Sequence, residues 1–482
     1  MRATILVLST LVALLPAFDA PATIIHVTSD QPTIKDGMDA ASVGDTVMVE
    51  CGTYYEYDIE LTWGTTLTSE TGSYECVTID AENQGRPLYL IHGANYTTTV
   101  RGITIRNGYA SSSRDRLHGG GALFVSDATI EVIDCRFVSN SADESGGAIR
   151  MYAESAIIEH CLFEGNTAEF GGGIEGCSDT MRVDGCSFSG NIAERGGGSC
   201  ITCSGSYFVD CTFTDNVASV VGGGVGNYAG GLTLEGCVFD GNSAVEQGGA
   251  VYGLGAGALP EVTLAIEDCD FAGNHVDAGE GGAVCGDNEH RLFISNSSFS
   301  GNSASYRGGA ISANHKGDMI NCVVVGNSAT SYAGGTYIRD RGTVTSCTFV
   351  SNESPQGSAL ALGQPDSLVI RESILAFGES GTRSSSSVVY CLMSGDSEIF
   401  QCYVFGNAGG DSLCGTFHDN MFVDPLLCDY ELGDVSLCAD SPCLPTGDNP
   451  WGILIGALGA GCGPCGSPVR ESSWGAIKAL YR

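Results

Sequence analysis

In AIIEHC, DTMRVDGC and LTLEGC, which end at Cys161, Cys186 and Cys237, apolar side chains fall on alternate positions. A period of two marks a strand with one face buried. Phenylalanine follows the cysteine two residues later, so both side chains share one face of a short strand. Three residues further comes asparagine, where the strand must turn; asparagine tolerates left-handed backbone and bonds local backbone groups. A glycine pair ten to twelve residues after the cysteine supplies a second turn at positive φ. No part of the unit reads as a helix, so each copy is two or three short strands separated by turns.

The unit recurs. CRFVSN starts at Cys135, CLFEGN at Cys161, CSFSGN at Cys186, CTFTDN at Cys211 and CVFDGN at Cys237. CDFAGN at Cys269, SSFSGN at Ser297, CVVVGN at Cys322 and CTFVSN at Cys347 continue the series, and a degraded CYVFGN starts at Cys402. A copy of roughly 25 residues cannot bury a core alone, and stacking the copies solves that problem. The predicted fold is all-β: a single-stranded right-handed parallel β-helix, a solenoid of roughly 25 residues per coil with capping segments at both ends. Coils stacked about 4.8 Å apart place like residues over like. The inward ladders are Phe137, Phe163, Phe188, Phe213, Phe239, Phe271, Phe299 and Phe349, with Asn140, Asn166, Asn191, Asn216, Asn242, Asn274, Asn302 and Asn352. Antiparallel hairpins or blades would not hold the same residue at the same phase of every unit.

F-x-x-N combined with G-G-A-I/L/V, repeated across residues 119–355, resembles the repeats of the chlamydial polymorphic outer-membrane proteins. The resemblance implies a pectin-lyase-like β-helix displayed outside the cell, often for adhesion. Those proteins end in a membrane β-barrel; residues 416–482 are too few for one, so attachment to an outer membrane is not expected from this stretch. The chain divides into a signal peptide (1–22), an N-terminal cap and first coils (23–118, with a short helix around Ile34–Ala41), and the regular repeats (119–415). A Cys-rich closing segment (416–466) and a tail (467–482) follow. MRATILVLSTLVALLPAFDAPA has the layout of a secretory signal, and no later run is apolar enough to span a membrane. The expected location is secreted or cell-surface.

Charge narrows the partners. With 21 basic against 57 acidic residues the net charge is −36, a surface that repels nucleic acid and anionic lipid. Twenty-two cysteines in an exported chain point to disulfides. Those opening the repeats form an inward ladder expected to stay mostly reduced, acting as small buried hydrophobes. The disulfide candidates are Cys51 with Cys76, Cys177 with Cys203, and Cys428, Cys438, Cys443, Cys462 and Cys465 in the closing segment. Cys200-x-x-Cys203 and Cys462-x-x-Cys465 have half the spacing of a zinc site but no matched second pair, so no metal site is assigned.

Catalytic motifs of polygalacturonases and lyases do not occur, nor does G-x-S-x-G, and no Ser/His/Asp set can be assembled from spacing. Three residues after the ladder asparagine lie Asp143, Glu169 and Glu194 on consecutive coils, and aspartate returns at Asp277. This acidic edge is a candidate for calcium, through oxygen ligands, or for sugar contact, with Phe170, Tyr306 and Tyr332 as stacking surfaces. The expected function is a non-catalytic exported protein presenting a repetitive surface for adhesion, or for binding a polysaccharide or cell-surface component. The alternative is a carbohydrate-active lyase or hydrolase using the edge carboxylates, with a cleft at the insertions 253–261 and 279–291.

Overall fold

The structure, a computed structural model, describes residues 22–465 except 113–118, 204, 229–230, 256–261, 288–289, 365–366, 380–386, 394–395 and 447–448. The signal peptide but for Ala22, the tail 467–482 and most of the 253–261 insertion lie outside the described residues. The remainder is a nearly all-β parallel solenoid of about 16 turns with about 26 residues per turn. Each coil contributes to a wide sheet of 25 strands and a phenylalanine-bearing sheet of 14, and short bridges between them form a narrow third sheet.

Wide-sheet strands such as Leu123–Ile133, Ile149–Glu159 and Ile174–Asp184 pair in parallel, with Leu123 on Ile149 and Ile149 on Ile174. Their buried positions alternate, as the apolar period requires. The phenylalanine strands span three residues, Arg136–Val138 and Leu162–Glu164 for example. The reason is visible in the backbone. Asp134 and Ser139 flank the first at φ 52° and 53°, and equivalent left-handed residues, often glycine, flank the others. The asparagine was expected to hold this turn; the residue before it does so instead. Gly171 shows why the second turn needs glycine: its φ is 63° and a Cβ there would meet the Ile174 carbonyl oxygen at 2.1 Å.

Released from the turn, each asparagine is buried and bonds along the axis. Asn191 sends its backbone N–H and its amide N–H to Oδ1 of Asn216, both at 3.0 Å, and a second amide N–H to the Phe163 carbonyl at 2.9 Å. The phenylalanines stack from Phe137 to Phe299 with ring centroids 4.6–5.0 Å apart and planes within 5°. Val324 interrupts this row before Phe349.

The cysteine ladder is reduced, and it does more than fill space. Each thiol from Cys135 to Cys269 donates to the carbonyl two residues back, for example Cys186 Sγ to Asp184 at 3.3 Å. Cys186 Sγ also accepts the Cys161 N–H at 3.3 Å. Ser297 replaces cysteine with the same pair of bonds: its Oγ donates to Ser295 at 2.7 Å and accepts the Cys269 N–H at 3.1 Å. Cys186→Ser is therefore expected to shift stability by less than about 1 kcal/mol, whereas Cys186→Ala, which leaves a buried N–H unpaired, costs about 1–3 kcal/mol. Urea denaturation of the two variants measures this.

Disulfides join Cys51–Cys76, Cys177–Cys203, Cys391–Cys414, Cys428–Cys462 and Cys438–Cys465. Cys443 is the exception among the candidates: it is a free thiol. Its side chain is enclosed by the apolar cluster that includes Val350, Ile374, Leu437 and Ile455, and burial pushes its pKa up to about 12.

The N-terminal end is covered by a helix. The helix Ile34–Ala40 starts at Thr33, whose Oγ1 accepts the Asp36 N–H at 3.0 Å, and it buries Ile34 and Met38. The closing segment folds back along the side of the last coils instead of plugging the end. Tyr403 Oη donates to the Pro442 carbonyl at 3.1 Å, and the Ala457 N–H to Thr348 Oγ1 at 2.9 Å. Among the described residues no helix is long and apolar enough to cross a membrane.

Candidate functional site

Two rows of side chains run along the outside of the solenoid where the glycine turns meet the wide sheet. The sheet row holds Glu175, Cys200, Tyr252, Cys285, Ser312 and Tyr337 in register, all buried although they point away from the tube. The turn row, Phe170, Arg195, Val221, Gln247, Glu280, Arg307 and Tyr332, leans over it. Together they form a seam outside the apolar core.

Its polar centre is Glu280. This carboxylate pairs with Arg307, accepts from Ser312 Oγ at 2.9 Å and Asn314 Nδ2 at 2.9 Å, and faces Gln247 Nε2 at 3.2 Å. Arg307 also donates to Asn314 Oδ1 at 3.0 Å and sits over the Tyr337 ring, 4.1 Å from its centroid. Burial pushes the Glu280 carboxyl up, but the Arg307 pair and the amide and hydroxyl bonds outweigh it and hold the pKa below the ordinary glutamate value. The pair thus contributes stability above the unfolded glutamate pKa of about 4.3, and that contribution is lost as pH falls through the lower folded value. Glu280→Gln is expected to cost about 2–3 kcal/mol near neutral pH, since Arg307 loses its counter-charge in a largely buried place. The same change flattens the acid limb of the stability–pH curve, which thermal melts across pH 2.5–7 would record.

Next to this network the wide sheet opens into a depression of about 430 Å³ lined by Tyr337, Arg339, Asp340, Gly363, Gln364, Leu392 and Met393. Asp340 is fixed by His315 Nδ1 at 3.1 Å and Arg339 Nε at 3.0 Å. Tyr332 and Tyr390 pack against the cluster that holds Tyr337; Tyr306 and Tyr332 meet edge to face at 6.0 Å, and Tyr332 and Tyr390 lie 6.0 Å apart at 25°. Such rings, partly exposed and rigidly held, offer flat apolar faces with polar tips.

The acidic edge does not assemble as its spacing suggested. Asp143 turns toward the preceding coil, accepting from Tyr109 Oη at 2.9 Å and from the Ser112 N–H at 3.0 Å. Backbone register places Glu144, not Asp143, level with Glu169: the Glu169 N–H bonds the Glu144 carbonyl, as the Glu194 N–H bonds that of Glu169. Glu194 lies 3.5 Å from Arg195 Nε. Asp277 bonds His275 Nε2 at 2.9 Å, and His275 Nδ1 lies 2.7 Å from Ser303 Oγ. Ser303, His275 and Asp277 thus meet on the narrow sheet from adjacent coils, a set that linear spacing concealed because 28 residues separate the first two. Among the described residues, the groups of sulfur and acid ligands close enough to share a metal are centred on Cys51–Cys76 and on the Cys428, Cys438, Cys462 and Cys465 cluster, thiols engaged in disulfides; Asp143, Glu169, Glu194 and Asp277 are in none of them.

Residues 89–263 match the family described as the right handed beta helix region. Residues 296–314, which contain SSFSGN and GGAI, match the Chlamydia polymorphic membrane protein repeat. No curated protein matches the chain. Parallel coils, ladders and both matches agree: the chain folds as a right-handed parallel β-helix, and its repeats are similar to those of the polymorphic membrane proteins.

Proposed function

We propose that the protein is an exported, non-catalytic surface or extracellular protein that binds glycan through the outer face of its wide sheet. The observation that carries this reading is the run of Tyr306, Tyr332 and Tyr390 rings, two of them packed with Tyr337 of the open depression. Stacked coils make the face rigid, so little ordering entropy is lost on binding, and aromatic faces with nearby hydrogen-bonding groups suit pyranose rings. The disulfides and the outer-membrane association of the repeat family support a location outside the cell. A glycan array probed with the full chain and with Tyr332→Ala tests the idea. Retention on defined glycans should fall about tenfold in the variant with an unchanged melting midpoint. Equal retention by both proteins would sink it.

A second reading is favoured by Ser303, His275 and Asp277, whose order of nucleophile, base and carboxylate is that of an ester-cleaving set acting on acylated glycan. The set is solvent-exposed, and the nearby N–H groups of Ser303 and Ser305 are committed to the Asn274 and Val276 carbonyls, so they are not directed at a developing oxyanion. Labelling of Ser303 by a fluorophosphonate, abolished in His275→Ala, would establish this activity; absence of labelling would dismiss it.

A further inference from the structure

Basic residues are scarce, 21 against 57 acidic, yet three share one register. Arg291 pairs with Lys316 and Lys316 with Arg341 on successive coils of the wide sheet. Leu292, Gly317 and Gly342, the next residues, are buried in the tube, so strand alternation turns the three basic side chains outward. Asp318, only 5% exposed, holds the first two. It accepts from Arg291 Nε and Nη2 at 3.0 and 2.7 Å and from Thr343 Oγ1 at 2.9 Å, and lies 3.8 Å from Lys316 Nζ. Arg339, two residues before Arg341 on the same coil, forms part of the depression wall.

We propose that this column recognises a linear glycan bearing closely repeated anionic groups, sulfate or carboxylate, laid along the solenoid axis from Arg291 past Lys316 to Arg341. The proposal rests on the glycan-binding reading and names the chemical class that reading leaves open. Coil spacing of about 4.8 Å sets the interval between cations. Arginine presents a planar fork to an oxyanion and lysine a point charge, so the row accepts an anion at each coil. The net charge of −36 does not forbid this. At physiological ionic strength the Debye length is about 8 Å, so remote acids are screened while contacts at the column persist. A neutral chain gains nothing from the three charges.

Affinity electrophoresis of the full chain through gels containing dextran sulfate, alginate or unmodified dextran tests the proposal. Lys316→Glu and the more exposed Arg341→Glu reverse the column's charge, and Arg182→Gln, on a distant coil, is the control. Melting midpoints confirm that each variant is folded. One or both anionic polymers should retard the native protein, with sulfate and carboxylate told apart by which gel does so. Apparent affinity should drop about tenfold in each reversal and hold in the control. Anionic retention unchanged by Arg341→Glu, or retardation by unmodified dextran alone, would overturn the charge column while leaving glycan binding intact. Retardation by none of the three polymers overturns both readings.

Discussion

Asn216→Ala is expected to lower the stability of the solenoid by about 3–6 kcal/mol, the cost of orphaning three buried polar groups at about 1–3 kcal/mol each with partial relaxation. The Asn216 amide accepts the Asn191 backbone N–H and the Asn191 Nδ2, both at 3.0 Å, and donates to the Phe188 carbonyl and to Asn242 Oδ1, both at 2.9 Å. Alanine makes none of these bonds; Asn242 Oδ1 keeps the Asn216 backbone N–H at 3.1 Å, which leaves three groups orphaned, and the site is inaccessible to water. Asn216→Asp sharpens the test. A carboxylate still accepts from Asn191 but has nothing to donate, and it places a charge against two acceptors in the interior. Its pKa is driven above the unfolded value of about 3.9, so the aspartate variant is most stable at low pH and weakens as pH rises through the folded value. Melting midpoints of native protein, Asn216→Ala and Asn216→Asp at pH 5 and pH 7.5 decide the matter. Equal midpoints for native protein and Asn216→Ala would show that the ladder carries no net stability.

Phe213→Ala is expected to cost about 3–5 kcal/mol, the range for deleting a buried ring whose cavity cannot collapse. Phe213 is fully buried, with the Phe188 and Phe239 rings 4.6 and 4.7 Å away. Backbone bonds between coils fix the distance across the gap, so the neighbours cannot close it. A branched aliphatic side chain is better tolerated, as Val324 already occupies the same register between Phe299 and Phe349. Phe213→Leu should therefore lose less than about 2 kcal/mol. Pairing Phe213→Ala with Phe239→Ala should give less than the sum of the single losses, because the two rings share one contact. Guanidinium denaturation monitored by circular dichroism records all four variants, the single Phe239→Ala change included.

What depended on period was legible in the sequence. The coil length, the inward phenylalanines and asparagines and the parallel stacking follow from residues that recur at one phase. What depended on a single turn was not. The left-handed residue is Ser139 or Gly165 rather than the asparagine after it, because the buried asparagine is held by bonds along the axis. The acidic edge misread its register by one residue, since Asp143 faces Tyr109 on the coil before while Glu144 meets Glu169. Cysteine reads as a hydrophobe, and its polar role shows only in the structure, where Ser297 and Ser373 stand in its place and keep its bonds. Glu280 with Arg307 and Ser303 with His275 join groups 27 and 28 residues apart. Such pairs become visible once the length of each insertion is assigned to its coil.

The central claim is that the outer face holds a glycan without cutting it. One experiment addresses both halves: incubate the full chain with a broad panel of soluble polysaccharides, then measure retained polymer and new reducing ends in the same samples. The account predicts retention of at least one polymer with no rise in reducing ends. New reducing ends from any polymer, or a panel in which nothing is retained, would contradict it.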